Sequence, residues 1–116
     1  HLPPFLVRAG ARAPVPLETP GLLLGVEPDT AYVPAEVPVG PGDVLVMFTD
    51  GITEARSPNG EEFGDQRLSA LLEGLAAVGP DEVADRVMDG VASWSPGTPA
   101  DDQTIVVVRI DPPAVD

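Results

Sequence analysis

The sequence has 116 residues, of which 43% are hydrophobic, and its 19 acidic and 6 basic residues give a formal net charge of −13. This length allows one domain with a core, whereas the charge disfavours nucleic acid and anionic membrane surfaces as partners. The absence of cysteine excludes disulfides and thiolate chemistry and favours a cytoplasmic location, and no apolar run is long enough to span a bilayer.

The first 42 residues alternate short strand-like segments with turns. Pro4 to Arg8 and Ala13 to Leu17 predict a hairpin, whose prolines suit an edge strand. The apolar segment from Gly21 to Val26 predicts a turn into a buried loop, and Ala31 to Val37 is again strand-like. A turn cluster of proline and glycine then leads into the most apolar strand of the chain.

That strand runs from Val44 to Thr49 and ends at Asp50 and Gly51. Apolar residues on both of its faces predict burial on both sides. A carboxylate at the end of a buried strand is held rigidly, and a glycine lets the backbone turn sharply beside it. Asp50 could therefore hold a metal ion, or the strand could simply end at a polar turn.

Two helices and a final strand follow. The first helix opens at Gly64 and the second at Pro80, and each has apolar residues at helical spacing, namely Leu68, Leu71, Leu72 and Leu75, and Val83, Val87, Val91 and Trp94. The last strand, Thr104 to Ile110, precedes a proline-rich tail. This order predicts an α+β fold with a mostly antiparallel sheet and two adjacent helices.

Acidic residues flank the two most apolar strands. Asp50 follows one strand, and Asp101 and Asp102 precede the other, so antiparallel pairing would bring these carboxylates to one edge of the sheet. Like charges repel there, and Mg²⁺ or Mn²⁺ removes that penalty. The spacing alone leaves open whether they bind metal or are solvated acids that cap strand ends.

The segment from Gly42 to Arg56 closely resembles the motif GDxLxLYTDGxxEAR of the metal-dependent protein phosphatases of the type 2C class. The match is to the bacterial SpoIIE-like branch, which includes the RsbU-like sigma-factor regulators. Further segments resemble that branch in the same order: His1 to Pro4, Leu23 to Val26, Asn59 to Gly64, and Asp101 to Thr104.

The resemblance implies that residues 1–111 form the C-terminal portion of the α-β-β-α phosphatase sandwich and that 112–116 are a tail. An Asp-Gly-containing metal motif of the family lies upstream of the segment that resembles His1 to Pro4. We therefore expect this portion to be inactive alone and, because half a domain leaves sheet edges unpaired, to be prone to self-association.

The resemblance also implies a site with two Mg²⁺ or Mn²⁺ ions and hydrolysis of phosphoserine or phosphothreonine by metal-activated water. Asp50 and Asp101 match metal ligands, and Gly51 matches the motif glycine that shapes the backbone. Asp102 stands where many relatives have asparagine, which suggests an alternative ligand or a residue that supports the ligands. The substrates of this branch are commonly phosphorylated anti-sigma-factor antagonists, small proteins of bacterial signalling pathways.

Two other functions are compatible with the sequence. The same fold could serve as a non-catalytic regulatory or interaction module. Alternatively, the chain could be a small binding protein whose acidic residues keep it soluble.

Overall fold

The computed structural model describes residues 2–18, 27–29, 31 and 34–114. Within these residues the fold is α+β, as predicted, with one antiparallel sheet in the order β2–β1–β3–β4. The strands are β1 (Phe5–Val7), β2 (Val15–Pro16), β3 (Val44–Phe48) and β4 (Ile105–Arg109). The helices are α1 (Asp50–Thr53), α2 (Gly64–Leu72), a 3-10 turn (Leu75–Ala77) and α3 (Pro80–Trp94).

One face of the sheet packs on α2 and α3 to form the core. Val44, Val46 and Phe48 of β3 are buried there, and the rings of Phe5 and Phe48 stack with centroids 5.8 Å apart. The helices contribute the predicted apolar positions, which are fully buried at Leu68, Leu72, Val83, Val87 and Val91. The helical spacing in the sequence therefore identified the core correctly.

The other face of the sheet is less buried than the sequence predicts. Leu45 and Met47 are half-buried, and Val106 and Val108 of β4 are 47% and 38% exposed. The core cluster that the helices join contains Val44, Val46 and Phe48 but neither Leu45 nor Met47. The prediction that β3 is buried on both sides was therefore wrong for this set of residues.

The first long helix ends earlier than its leucine pattern suggests. Gly74 adopts a left-handed conformation (φ 72°) just after α2, which breaks the helix after Leu72. Leu75 nevertheless remains buried, because the following 3-10 turn returns it to the core. The second long helix begins at Pro80 as predicted, since proline fits the first turn of a helix.

Asp43 is a buried carboxylate that fixes the start of β3 through hydrogen bonds and an ion pair. The backbone N–H groups of Ala9 and Gly40 donate to it at 2.8 and 2.9 Å, and the Arg8 guanidinium lies 3.2 Å away. The hydrogen bond from Ala9, followed by that from Gly40, lowers the pKa of Asp43 below its ordinary value of 3.8, although burial opposes the shift. This residue therefore joins the β1–β2 turn to the loop before β3.

Some predictions for the first half of the chain are changed or untested. The hairpin is present but its strands are shorter than predicted, and residues 34–37 are irregular instead of strand-like. Residues 32 and 33, the predicted turn at 21–26 and His1 lie outside the described residues. None of the helices in the described ranges is long and apolar enough to cross a membrane.

Candidate metal centre

The two acidic motifs meet at one edge of the sheet. Strands β3 and β4 pair antiparallel, and Phe48 at the end of β3 lies opposite Ile105 at the start of β4. Asp50 therefore emerges beside the segment that contains Asp101 and Asp102. The antiparallel pairing on which the sequence argument depended is therefore present.

Asp50 opens a short helix that the sequence did not predict. The single turn α1 directly follows β3, and the N–H of Glu54 donates to the Asp50 carbonyl at 2.8 Å. The carboxylate of Asp50 is exposed and has no ion-pair partner among the described residues. Its backbone is thus fixed by the α1 turn, and its side chain is exposed to solvent.

Gly51 packs directly against the backbone of the second acidic motif. A Cβ atom at this position would lie 2.0 Å from the carbonyl oxygen of Asp102 and 2.9 Å from its carbonyl carbon. The φ angle of Gly51 is not positive, so the glycine is required by this close approach and not by the sharp turn that the sequence suggested. The contact fixes α1 against the Asp101–Asp102 segment.

Thr49 provides a second link between the motifs, which sequence reasoning missed. Its hydroxyl accepts a hydrogen bond from the N–H of Thr104 at 3.0 Å and donates to the carbonyl of Asp102 at 3.3 Å. Thr49 also occupies the N-cap position of α1, but its side chain makes no capping hydrogen bond. In the sequence, the only indication of this link was that Thr49 is a polar side chain at the end of an apolar strand.

Asp101 and Asp102 are both exposed, and they differ in their hydrogen bonds. The N–H of Asp102 donates to the Asp101 carboxylate at 2.8 Å, which fixes the orientation of that side chain. The carbonyl of Asp102 faces Gly51 and Thr49. Asp102 therefore reaches the neighbouring motif through its backbone.

Glu54 is a further acidic residue of the site. It lines a hollow of about 470 Å³ together with Thr49 and Asp50, and a second hollow of about 430 Å³ together with Asp101. Its carboxylate is exposed and unpaired in the part of the chain that the structure describes. The sequence gave no indication that Glu54 lies near both acidic motifs.

The carboxylates of the two acidic motifs are suitable ligands for a hard divalent cation, but they do not form a complete coordination shell. Asp50 and Asp101 offer exposed carboxylate oxygens, and Mg²⁺ commonly uses one or two carboxylates and keeps several waters. In the described ranges, no group of three or more acidic, histidine or cysteine side chains could hold a metal ion. Among the described residues, therefore, an ion at Asp50 or Asp101 needs further ligands.

Comparison with known proteins gives a consistent result. The sequence profile of the family described as stage II sporulation protein E (SpoIIE) matches residues 1–111. The phosphoserine phosphatase RsbU of Bacillus subtilis is 33% identical over 94 residues, which cover 80% of this chain and 28% of RsbU. Stage II sporulation protein E of the same organism is 41% identical over 70 residues, covering 60% of this chain and 8% of that protein.

The fold matches a solved structure of the same kind. The phosphatase domain of the cell fate determinant SpoIIE from Bacillus subtilis superposes with a TM-score of 0.74 and 27% identity, covering 99% of this chain and 50% of that domain. The chain thus spans half of this solved domain and less than a third of the two curated relatives.

Proposed function

Because the chain belongs to the family of stage II sporulation protein E, we propose that it forms part of a metal-dependent protein serine/threonine phosphatase. One similar protein is a phosphoserine phosphatase, and a similar structure is a phosphatase domain. Residues 1–111 would be the C-terminal portion of such a domain.

One observation carries the proposal: Gly51 packs on the carbonyl of Asp102 and so brings two acidic motifs together. Asp50 and Asp101 are the proposed ligands of Mg²⁺ or Mn²⁺. Asp102 would support them or serve as an alternative ligand. Thr49 holds the two motifs in register through its hydrogen bonds to Asp102 and Thr104.

The residues around the site have separate parts in the proposed reaction. When bound, the ion would supply a water of lowered pKa for attack on the phosphoryl group and would neutralise charge on its oxygens. The hollow beside Asp101 is large enough for part of a polypeptide, and it is lined mainly by polar groups. The proposed substrate is a phosphoserine or phosphothreonine of a cytoplasmic anti-sigma-factor antagonist.

The test uses the full-length protein. We expect hydrolysis of a phosphoserine peptide only with Mn²⁺ or Mg²⁺, and Asp50→Asn should reduce both the turnover and the Mn²⁺ affinity measured by titration calorimetry. Asp89→Asn, which removes an exposed acid on α3, is the matched control. Turnover without metal, or an Asp50→Asn variant with full turnover and Mn²⁺ affinity, would refute the metal mechanism.

A second candidate is a regulatory module of the same fold that binds a partner without hydrolysis. Among the described residues no set of three possible metal-binding side chains converges, and this observation favours that alternative. Partner binding that is unaffected by Asp50→Asn, together with no metal-dependent hydrolysis, would support it.

A further inference from the structure

A short segment forms one wall of the hollow that contains Asp101. The segment runs from Ala55 to Phe63, and we call it the 55–63 wall. The hollow has a volume of about 430 Å³, and Arg56 and Glu62 of the wall line one side of it. Ser95, Thr98 and Asp101 line another part, so the wall lies beside the proposed metal centre.

The two ends of the 55–63 wall are tied to each other. The N–H of Phe63 donates to the carbonyl of Ala55 at 2.7 Å, and Arg56 forms a β-bridge with Glu62. The Arg56 guanidinium also donates to the carbonyl of Gly60 at 2.8 Å and pairs with the Glu62 carboxylate at 3.1 Å. The segment therefore doubles back on itself as a narrow, closed turn.

Side chains from two helices then fix the wall in place. Arg67 of α2 donates to the carbonyls of Glu62 and Phe63 at 3.1 Å, and Trp94 of α3 donates to the carbonyl of Glu61 at 3.0 Å. The Arg67 guanidinium pairs with the Glu61 carboxylate at 2.9 Å and lies 3.9 Å above the Trp94 ring. Three consecutive carbonyls, those of Glu61, Glu62 and Phe63, are thus held by side chains of the two helices.

The charge around the hollow indicates what the wall would contact. The positive charge of Arg56 is paired with Glu62, whereas Glu54 has no ion-pair partner among the described residues. If Asp101 binds a metal ion, Glu54 remains as an uncompensated negative charge in this hollow. A basic side chain next to a phosphorylated residue would be complementary to it.

We infer that the 55–63 wall binds the polypeptide beside the phosphorylated residue and that Glu54, immediately before the wall, favours a basic side chain there. This inference rests on the proposed phosphatase function. Arg67 and Trp94 act as positioning residues, because they touch the wall and not the hollow. A small aryl phosphate lacks the flanking chain and does not use the wall.

The experiment compares three probes with the gene-encoded protein. The probes are a phosphoserine peptide with flanking arginines, the same peptide with glutamines in their place, and p-nitrophenyl phosphate. For each protein we take the ratio of kcat/KM for the arginine peptide to kcat/KM for p-nitrophenyl phosphate. In Arg67→Lys and in Trp94→Phe this ratio should fall about 10- to 100-fold, mainly because KM for the peptide rises. The control is Arg86→Lys, in which an exposed ion pair with Glu82 on α3 is altered.

Three results would overturn the inference: an equal loss for peptide and aryl phosphate, no loss in either variant, or equal kcat/KM for the two peptides with the parent protein. Trp94 is the only tryptophan among these 116 residues, and the difference in fluorescence change between the parent protein and Trp94→Phe reports peptide binding at the wall. Binding that weakens in Arg67→Lys, without any hydrolysis by the parent, would support the wall and refute the phosphatase function. No fluorescence change with either peptide would refute the wall.

Discussion

Gly51→Ala tests the contact that joins the two acidic motifs. The new Cβ would lie 2.0 Å from the carbonyl oxygen of Asp102, and the atom it meets belongs to the backbone, which cannot rotate away. Overpacking of this kind costs about 1–3 kcal/mol, which for a chain of this size corresponds to a fall in Tm of about 4–12 °C. The shift should also displace Asp101 relative to Asp50 and so weaken Mn²⁺ binding.

Thermal unfolding followed by circular dichroism, together with calorimetric titration of Mn²⁺, measures both effects. The matched control is Gly79→Ala, because nothing lies within 4 Å of a Cβ there and its φ of −67° suits alanine. This control should change the free energy of unfolding by no more than about 1 kcal/mol. If Gly51→Ala unfolds at the parent Tm and binds Mn²⁺ with the parent affinity, the close packing of Gly51 on Asp102 is wrong.

Two further changes test the fold that supports the site. Leu72→Ala empties a fully buried position and should lower the free energy of unfolding in urea by about 2–5 kcal/mol; a loss below that range would place Leu72 outside the core. Asp43→Asn should lower the midpoint of urea unfolding at pH 7. Equal midpoints for the parent and the variant would refute the stabilising role of the Asp43 carboxylate. Folding lowers the pKa of Asp43, so the carboxylate stabilises the folded state fully above about pH 4. This stabilisation is lost as the pH falls through the lowered pKa. Asp43→Asn should therefore lack this loss of stability in acid.

The regular elements could be predicted because their signals are local. A continuous apolar run marked β3, and helical spacing with Pro80 marked α3. Helix α2 was located correctly, but its end at Leu72 depends on the left-handed conformation of Gly74, which the leucine pattern concealed. The hydrogen bond from Ala9 to Asp43 joins residues more than 30 positions apart, so no local pattern could have revealed it.

The site was only partly predictable for a similar reason. The antiparallel pairing of β3 and β4 follows from two apolar strands and places Asp50 near Asp101. The bonds of Thr49, by contrast, depend on the register of two strands about 55 residues apart. The role of Glu54 depends on the unpredicted turn of helix α1, which directs the chain back towards the second motif.

The exposed apolar face of the sheet explains why the strands look more buried in sequence than in structure. Leu45 and Met47 in β3, and Val106 and Val108 in β4, give both strands an apolar second face, which is typical of strands packed between two layers. The described residues cover the first face with α2 and α3. The solved phosphatase domain of SpoIIE is twice as long as the part that this chain matches, so domains of this family have enough sequence to cover the second. The apolar pattern is therefore consistent with a larger fold in which both faces of the sheet are covered.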